Sequence, residues 1–256
     1  MTTERTGRRP DRAAGALADL LALCAERPVW APDPERAFGD PAGGPGAARL
    51  VGPGADPGAD PAPARPVRQS AVLVLFGVLD TAPARTDHPA VASDLDVLLT
   101  RRSPTLSHHP GQVSFPGGGI DPTDAGPEAA ALREAQEETG LDPAGVRVLG
   151  TLPLLPVPVS RNLVTPVLGW WDRPSAVAAD PAETVDVFRA PVADLVDPAH
   201  RLTTVLRRGG QEWRGPAFDA DGVLVWGFTA FVLDRLLDAL GWAVPWDAAR
   251  TVPAPV

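Results

Sequence analysis

The segment REAQEE at 133–138 places three carboxylates and a guanidinium within six residues, shortly after a run of glycines at 117–119. Helical geometry stacks residues four apart, so Glu134 and Glu138 share a face, Glu137 lies beside them, and Arg133 can hold the carboxylate of Glu137. Like charges this close repel one another, and a divalent cation converts that repulsion into binding. Carboxylate oxygens suit Mg²⁺ or Mn²⁺ beside a phosphate. The pattern therefore favours a metal site, with a solvated helix face carrying Arg–Glu pairs as the alternative.

The residues around this acidic segment predict how it is positioned. Glycines at 117–119 have no Cβ, so their carbonyls and amides can approach a metal ion or a phosphate closely. Pro127 suits the first turn of a helix and Gly140 suits its end, which predicts a helix over 127–139.

Apolar runs predict a sheet around this helix. The continuous run AVLVLFGVL at 71–79 is typical of a strand buried on both faces, and DLDVLLTRR at 94–102 could pair with it antiparallel. Further predicted elements are a short strand at 112–115, an irregular strand at 147–159, a strand at 163–171, a strand and short helix at 185–197, and a strand leading into an amphipathic helix at 223–240. Together they predict an α/β sandwich with a mixed sheet and helices on both of its faces.

Composition divides the chain into four segments. A chain of 256 residues suits one domain with appendages. The predicted segments are an N-terminal helical extension at 1–31 (with its helix at 13–26), a linker rich in proline and glycine at 32–66, one folded domain at 67–245 and a C-terminal tail at 246–256.

Charge and cysteine content exclude several partner classes. The net charge of −9 and the pI of about 4.9 argue against a nucleic-acid or anionic-membrane surface, and they still allow a local basic pocket for a phosphorylated small molecule. The single cysteine cannot form an internal disulfide, which favours a reduced, cytoplasmic setting. We expect no membrane span and no secretory signal, because no long uncharged apolar run is present.

The acidic segment resembles the Nudix box, G-x5-E-x7-R-E-U-x-E-E-x-G-U, where U is apolar. Gly119 and the run REAQEETGL at 133–141 match that pattern. The first box glutamate has alanine at its position, Ala125, and Asp121 and Asp124 lie near enough to substitute for it in part. In the family that position is structural rather than the main metal ligand.

The preceding segment, LLTRRSPTLSHHPGQVSFPGG at 98–118, resembles the additional motif of the coenzyme A diphosphatase branch, L-L-T-x-R-[SA]-x3-R-x3-G-x-[VIL]-[SA]-F-P-G-G. Its second arginine is replaced by Ser107 here. His108, His109 or Arg101 could supply the missing positive charge. The resemblance to the family spans roughly residues 70–240.

The resemblance implies hydrolysis of the diphosphate of coenzyme A or its thioesters, dependent on Mg²⁺ or Mn²⁺, giving 4′-phosphopantetheine and adenosine 3′,5′-bisphosphate. The implied metal ligands are Glu134, Glu137, Glu138 and the Gly118 carbonyl. The implied catalytic residues are Glu137, Glu138, Arg133 and Glu183, the last as a candidate base that could equally be an exposed loop glutamate. The implied substrate contacts are Arg102, Ser103, His109, Gly117 and Gly118.

Two other functions stay open. One is a Nudix hydrolase for ADP-ribose or a dinucleotide, which Ser107 supports. The other is a nucleotide-sensing domain without catalysis, against which the intact Arg133, Glu134, Glu137 and Glu138 argue. Arg102 could also be a strand-end arginine paired with a carboxylate. The oligomeric state is left open, with a homodimer as one option.

Overall fold

The structure, a computed structural model, describes residues 9–26, 28, 30, 67–78, 84, 85, 88, 91–102, 111–157, 160, 162–179 and 184–255. The helices are α1 Arg9–Glu26, α2 Pro127–Thr139, α3 Val192–Val196 and α4 Gly227–Ala239. The strands are β1 Arg68–Val78, β2 Leu95–Arg102, β3 Val113–Ser114, β4 Gly117–Gly119, β5 Val146–Thr151, β6 Leu155–Val157, β7 Asn162–Trp171, β8 Thr184–Pro191, β9 Arg201–Arg208, β10 Gln211–Ala220, β11 Val223–Val225 and β12 Thr251–Pro253. The predicted linker at 32–66 lies outside the described residues.

The larger sheet is mixed and centres on β1. Its strand order is β3-β2-β1-β7-β5, with β4 added to β1, β6 to β7 and β8 to β2. Strand β1 runs parallel to β7 and antiparallel to β2, where Phe76 lies opposite Val97. The predicted antiparallel pairing of the first two strands is therefore confirmed.

Helices cover both faces of this sheet. Side chains alternate along a strand, and in β1 Leu73 and Leu75 belong to the apolar cluster that includes α2, whereas Val74 and Phe76 belong to the cluster that includes α1 and α4. The predicted α/β class is confirmed. Ala16 and Leu20 of α1 are buried in the same cluster as Phe76, so this helix packs on the sheet.

A second sheet, β11-β10-β9-β12, completes the fold. Arg201 of β9 is 1% exposed, lies over the rings of Phe218 and Trp246 at 4.4 and 4.7 Å, and forms an ion pair with Asp234 of α4. Strand β12 runs parallel to β9, so part of the segment predicted as a C-terminal tail contributes a strand. The segment boundaries after residues 31, 66 and 245 stay predictions. Among the described residues no helix combines the length and apolar content needed to cross a bilayer.

Candidate active site

Helix α2 begins and ends at the residues that the sequence predicts. Gly126 precedes it with φ of 150°, and Pro127 occupies its first turn. Gly140 ends it in the left-handed region with φ of 67°, where its N–H donates to the carbonyl of Gln136 at 2.9 Å. The helix therefore contains all three glutamates of the acidic segment.

Glu138 occupies a position that would otherwise belong to the core. Ala131, Ala135 and Glu138 lie at helical spacing on one buried stripe of α2, and Glu138 is 9% exposed. Its Oε2 accepts a hydrogen bond from the N–H of Gly117 at 3.0 Å. A carboxylate at a buried position has to be compensated, and here a backbone amide of the glycine strand contributes to that compensation.

The glycines of β4 allow this close contact between helix and strand. Gly117 and Gly118 pair with Val72 and Ala71 of β1. Gly117 has a φ of 154°, and a Cβ on it would collide with the carbonyl oxygen of Ala71. A Cβ on Gly118 would collide with Oε2 of Glu134. Any side chain at Gly118 would therefore displace the Glu134 carboxylate, which rests against the strand backbone.

Arg133 joins the acidic side chains into one network. Its Nη1 donates to Oε1 of Glu134 at 2.9 Å and to Oε2 of Glu137 at 3.2 Å. Its Nη2 donates to the carbonyl of Gly119 at 3.0 Å. It also forms two parallel bonds to Asp124, from Nε to Oδ1 at 3.0 Å and from Nη2 to Oδ2 at 2.9 Å. The bonds to Asp124, followed by the bond to Glu134, raise the pKa of Arg133 above its usual value.

The two aspartates that could substitute for the missing box glutamate have different contacts. Asp124 contacts Arg133, and the hydrogen bond from Arg133 is the main reason that the pKa of the Asp124 carboxyl lies below its usual value. Asp121 instead accepts from the N–H and the hydroxyl of Thr123, at 2.9 and 2.7 Å, which lowers its own pKa. Asp124 is therefore the aspartate that joins the network of Arg133. The predicted site residues did not include it.

The carboxylates suit a hard divalent cation in chemistry but are not arranged around one point. Within the described residues no three Asp, Glu, His or Cys side chains form a metal-binding group. Arg133 donates to one oxygen of each glutamate, Oε1 of Glu134 and Oε2 of Glu137, so the second oxygen of each carboxylate lies outside those bonds. With Glu138 and the backbone carbonyls of β4, these oxygens form a donor set that suits Mg²⁺ or Mn²⁺. The donor chemistry thus fits a metal, and its ligation remains a proposal.

Strand β2 and the glycine strand β4 both pair with β1, and β2 also pairs with β3, which precedes β4 in the chain. The hydroxyl of Thr100 lies 3.0 Å from the hydroxyl of Ser114 on β3. Arg102, at the end of β2, is half-buried, and its backbone N–H donates to the carbonyl of Gln112 at 2.9 Å. Its Nε is buried and has no hydrogen-bond partner among the residues that the structure describes. None of the side-chain bonds within the described residues joins Arg102 to a carboxylate, so the strand-end ion pair considered as the alternative is not observed there.

Three predicted site residues are outside the described part of the chain: Ser103, His109 and Glu183. The residues that the structure brings together are Arg133 with Glu134 and Glu137, Gly117 with Glu138, and Gly118 with Glu134.

Comparison with known families agrees with the acidic helix and the glycine strand. The model of the NUDIX domain matches residues 84–208, a range that includes β2, β4 and α2.

Curated relatives extend that match. A protein named "Uncharacterized Nudix hydrolase NudL" from Klebsiella pneumoniae subsp. pneumoniae is 38% identical over 175 residues, which is 68% of this chain and 83% of the relative. The protein of the same name from Photorhabdus laumondii is also 38% identical, over 55% of this chain and 74% of the relative. A solved structure described as a Nudix hydrolase from M. smegmatis, RenU, aligns with 68% of this chain and 86% of its own at 18% identity and a TM-score of 0.43.

Proposed function

Since the chain belongs to the Nudix hydrolase family, whose enzymes act on diphosphate bonds, we propose that it hydrolyses the diphosphate of coenzyme A or an acyl-coenzyme A. The products are 4′-phosphopantetheine or its acyl form and adenosine 3′,5′-bisphosphate. Nudix hydrolases generally use divalent metal ions, and Mg²⁺ or Mn²⁺ is the proposed cofactor. The broader class, hydrolysis of nucleoside diphosphate derivatives, follows from the family, and the choice of coenzyme A is the proposal.

The observation that supports coenzyme A is the motif at 98–118 together with the position of Arg102. The motif residues Thr100 and Ser114 lie side by side on β2 and β3, so the segment that resembles the coenzyme A motif leads into the glycine strand of the site. Arg102 brings a cation to this edge, and its buried Nε forms no hydrogen bond within the described part of the chain. Guanidinium groups bind phosphate oxygens through two parallel hydrogen bonds. A phosphate of the substrate would satisfy Arg102.

The residues of α2 and β4 would have two roles at the diphosphate, binding the metal ion and orienting its ligands. Glu134, Glu137, Glu138 and the Gly118 carbonyl are the proposed ligands, and a bound divalent ion supplies charge neutralisation and a water of lowered pKa. Arg133 holds Glu134 and Glu137 in place, and the N–H of Gly117 orients Glu138. Glu183 is the proposed base that takes the proton of the attacking water.

Substrate identity can be tested by a panel of nucleotides with Mg²⁺ or Mn²⁺. We expect release of adenosine 3′,5′-bisphosphate from coenzyme A, measured by ion-exchange chromatography, at a kcat/KM at least about tenfold above that for ADP-ribose or dinucleotides. Turnover of ADP-ribose without turnover of coenzyme A would favour the alternative that Ser107 supports. Nucleotide binding without any turnover would favour a sensing domain.

The role of Arg102 predicts a specific kinetic effect. Arg102→Ala is expected to raise the KM for coenzyme A about tenfold and to lower kcat less, because the guanidinium binds phosphate in the ground state and the transition state alike. Arg102→Lys keeps the charge without the two-pronged donor and should be intermediate. Arg207→Ala, which removes a largely exposed arginine on β9, serves as the control. An unchanged KM in Arg102→Ala would contradict phosphate binding by this residue.

A further inference from the structure

We propose that Asp124 is a positioning residue for the carboxylates of α2 and that it acts through Arg133. The effect on catalysis rests on the function proposed above, whereas the effect on the geometry of Glu134 and Glu137 does not. The family pattern places a glutamate at Ala125, and the structure assigns the corresponding structural task to the preceding residue.

Asp124 and Arg133 form a closely fitted pair. Asp124 has a side chain that is only 6% exposed, and both of its oxygens accept from Arg133. Two parallel bonds fix the guanidinium plane as well as its position. The same guanidinium then reaches Glu134, Glu137 and the Gly119 carbonyl. Without Asp124, one edge of Arg133 would lose its fixed partner and the group could rotate toward the glutamates.

The loop holds Asp124 through bonds that do not involve Arg133. Oδ2 of Asp124 also accepts from the N–H of Asp121 at 2.8 Å, and the N–H of Asp124 donates back to the carbonyl of Asp121 at 2.9 Å. Asp121 is in turn bonded to Thr123. The turn over 121–124 therefore presents the carboxylate in one orientation, which lowers the entropy cost of ordering Arg133.

The spacing along the chain also places Asp124 at the acid position of the box. Five residues separate Gly118 from Asp124, the same interval as in the G-x5-E pattern. Counted from Gly118, the acid falls on Asp124, and the additional residue lies between Asp124 and Arg133, in the stretch that includes Ala125 and Gly126 before α2 begins. Asp124 is therefore the acid of the box, one residue before the position that a count from Gly119 gives.

The catalytic test is a set of four variants. Asp124→Ala is expected to lower kcat about 10- to 100-fold, the range typical of residues that orient metal ligands. In an Arg133→Ala background, Asp124→Ala should cause less than about a twofold further loss, because its effect passes through Arg133. Ala125→Glu added to Asp124→Ala should recover most of the lost activity, since it restores an acid at the neighbouring position.

The matched control removes the same kind of pair elsewhere on the molecule. Arg147, a residue of β5, forms two hydrogen bonds to Asp172, with Nε to Oδ2 at 2.8 Å, and both side chains are about half exposed. Asp172→Ala should leave kcat within about twofold of the parent, because this pair contacts none of the glutamates of α2.

A second readout does not depend on turnover. Mn²⁺ titration followed by electron paramagnetic resonance is expected to show about tenfold weaker binding in Asp124→Ala and parental binding in Asp172→Ala. In thermal unfolding of the metal-free protein, the double variant Asp124→Ala/Arg133→Ala should lose less Tm than the sum of the losses of the two single variants.

The outcomes separate this inference from the proposed function. If the parent protein turns over no diphosphate, the proposed function fails, and the Mn²⁺ titration and the Tm series still test Asp124. If Asp124→Ala and Arg133→Ala are additive in Tm, or if Mn²⁺ binding is unchanged in Asp124→Ala, the positioning role is wrong. Loss of activity without rescue by Ala125→Glu, but with non-additive Tm losses and weakened Mn²⁺ binding, supports the pair and confines its acid to position 124.

Discussion

Glu138→Gln is expected to lower kcat at least about a hundredfold, which corresponds to about 2.7 kcal/mol of transition-state stabilisation. Glutamine has nearly the same shape and keeps a carbonyl oxygen, so it can still accept the hydrogen bond that Glu138 takes from the N–H of Gly117. What is lost is the negative charge. The variant therefore separates a metal-binding role from a packing role for this buried position.

Steady-state kinetics with saturating Mg²⁺ or Mn²⁺ measures the effect, and thermal unfolding verifies that the fold is retained. Glu128→Gln is the matched control, because Glu128 lies in the first turn of the same helix and is exposed. We expect the control to keep kcat within about twofold of the parent. Near-normal turnover in Glu138→Gln would place the metal site elsewhere and remove the main support for the proposed mechanism.

The part of the fold that carries the site could be predicted because its signals are local. The apolar run of β1 contains few polar side chains, and Pro127 and Gly140 mark both ends of α2. Strands β9 and β10 have no counterpart in the sequence predictions because neither contains a continuous apolar run and β10 contains Pro216. Their hairpin had one local signal, Gly209-Gly210, both of which have positive φ in the structure.

The candidate site shows a similar division between local and long-range information. Helical spacing alone brings Arg133 to Glu137, and that pair is present at 3.2 Å. The contact of Gly117 with Glu138 joins residues that are 21 positions apart, so it depends on how α2 packs on the sheet and could not be derived from spacing. Arg133 with Asp124 depends on the turn conformation of 121–124. The roles assigned to Ser103, His109 and Glu183 stay predictions.

A buried carboxyl far along β2 from Arg102 has no role in the proposed mechanism and affects stability instead. Asp96 is 1% exposed, and neither of its carboxylate oxygens has a hydrogen-bond partner among the described residues. Burial raises the pKa of Asp96 to about 7, with Asp94 and Asp194 adding to the rise and Arg189 opposing it. An isolated polar group of this kind costs stability when it is charged.

The pH dependence follows from the direction of this shift. The unfolded chain releases the proton of Asp96 near pH 4, whereas the folded protein keeps it until about pH 7. Between these values the folded state binds more protons, so stability falls as the pH rises. The penalty is complete only above the folded pKa. Asp96 therefore opposes folding most strongly at and above neutral pH.

The free energy of unfolding of Asp96→Asn minus that of the parent is expected to increase by about 2–3 kcal/mol from pH 5 to pH 8, because asparagine cannot ionise. Urea unfolding of both proteins at pH 5, 6, 7 and 8 measures this difference. Glu128→Gln, which removes an exposed acid, should show a constant difference over the same range. The amide introduced by Asp96→Asn is also buried, so the stability of the variant at a single pH does not test the prediction. The test is how the difference between variant and parent changes with pH. A difference between Asp96→Asn and the parent that stays flat from pH 5 to pH 8 would mean that folding does not change the protonation of Asp96 in this range.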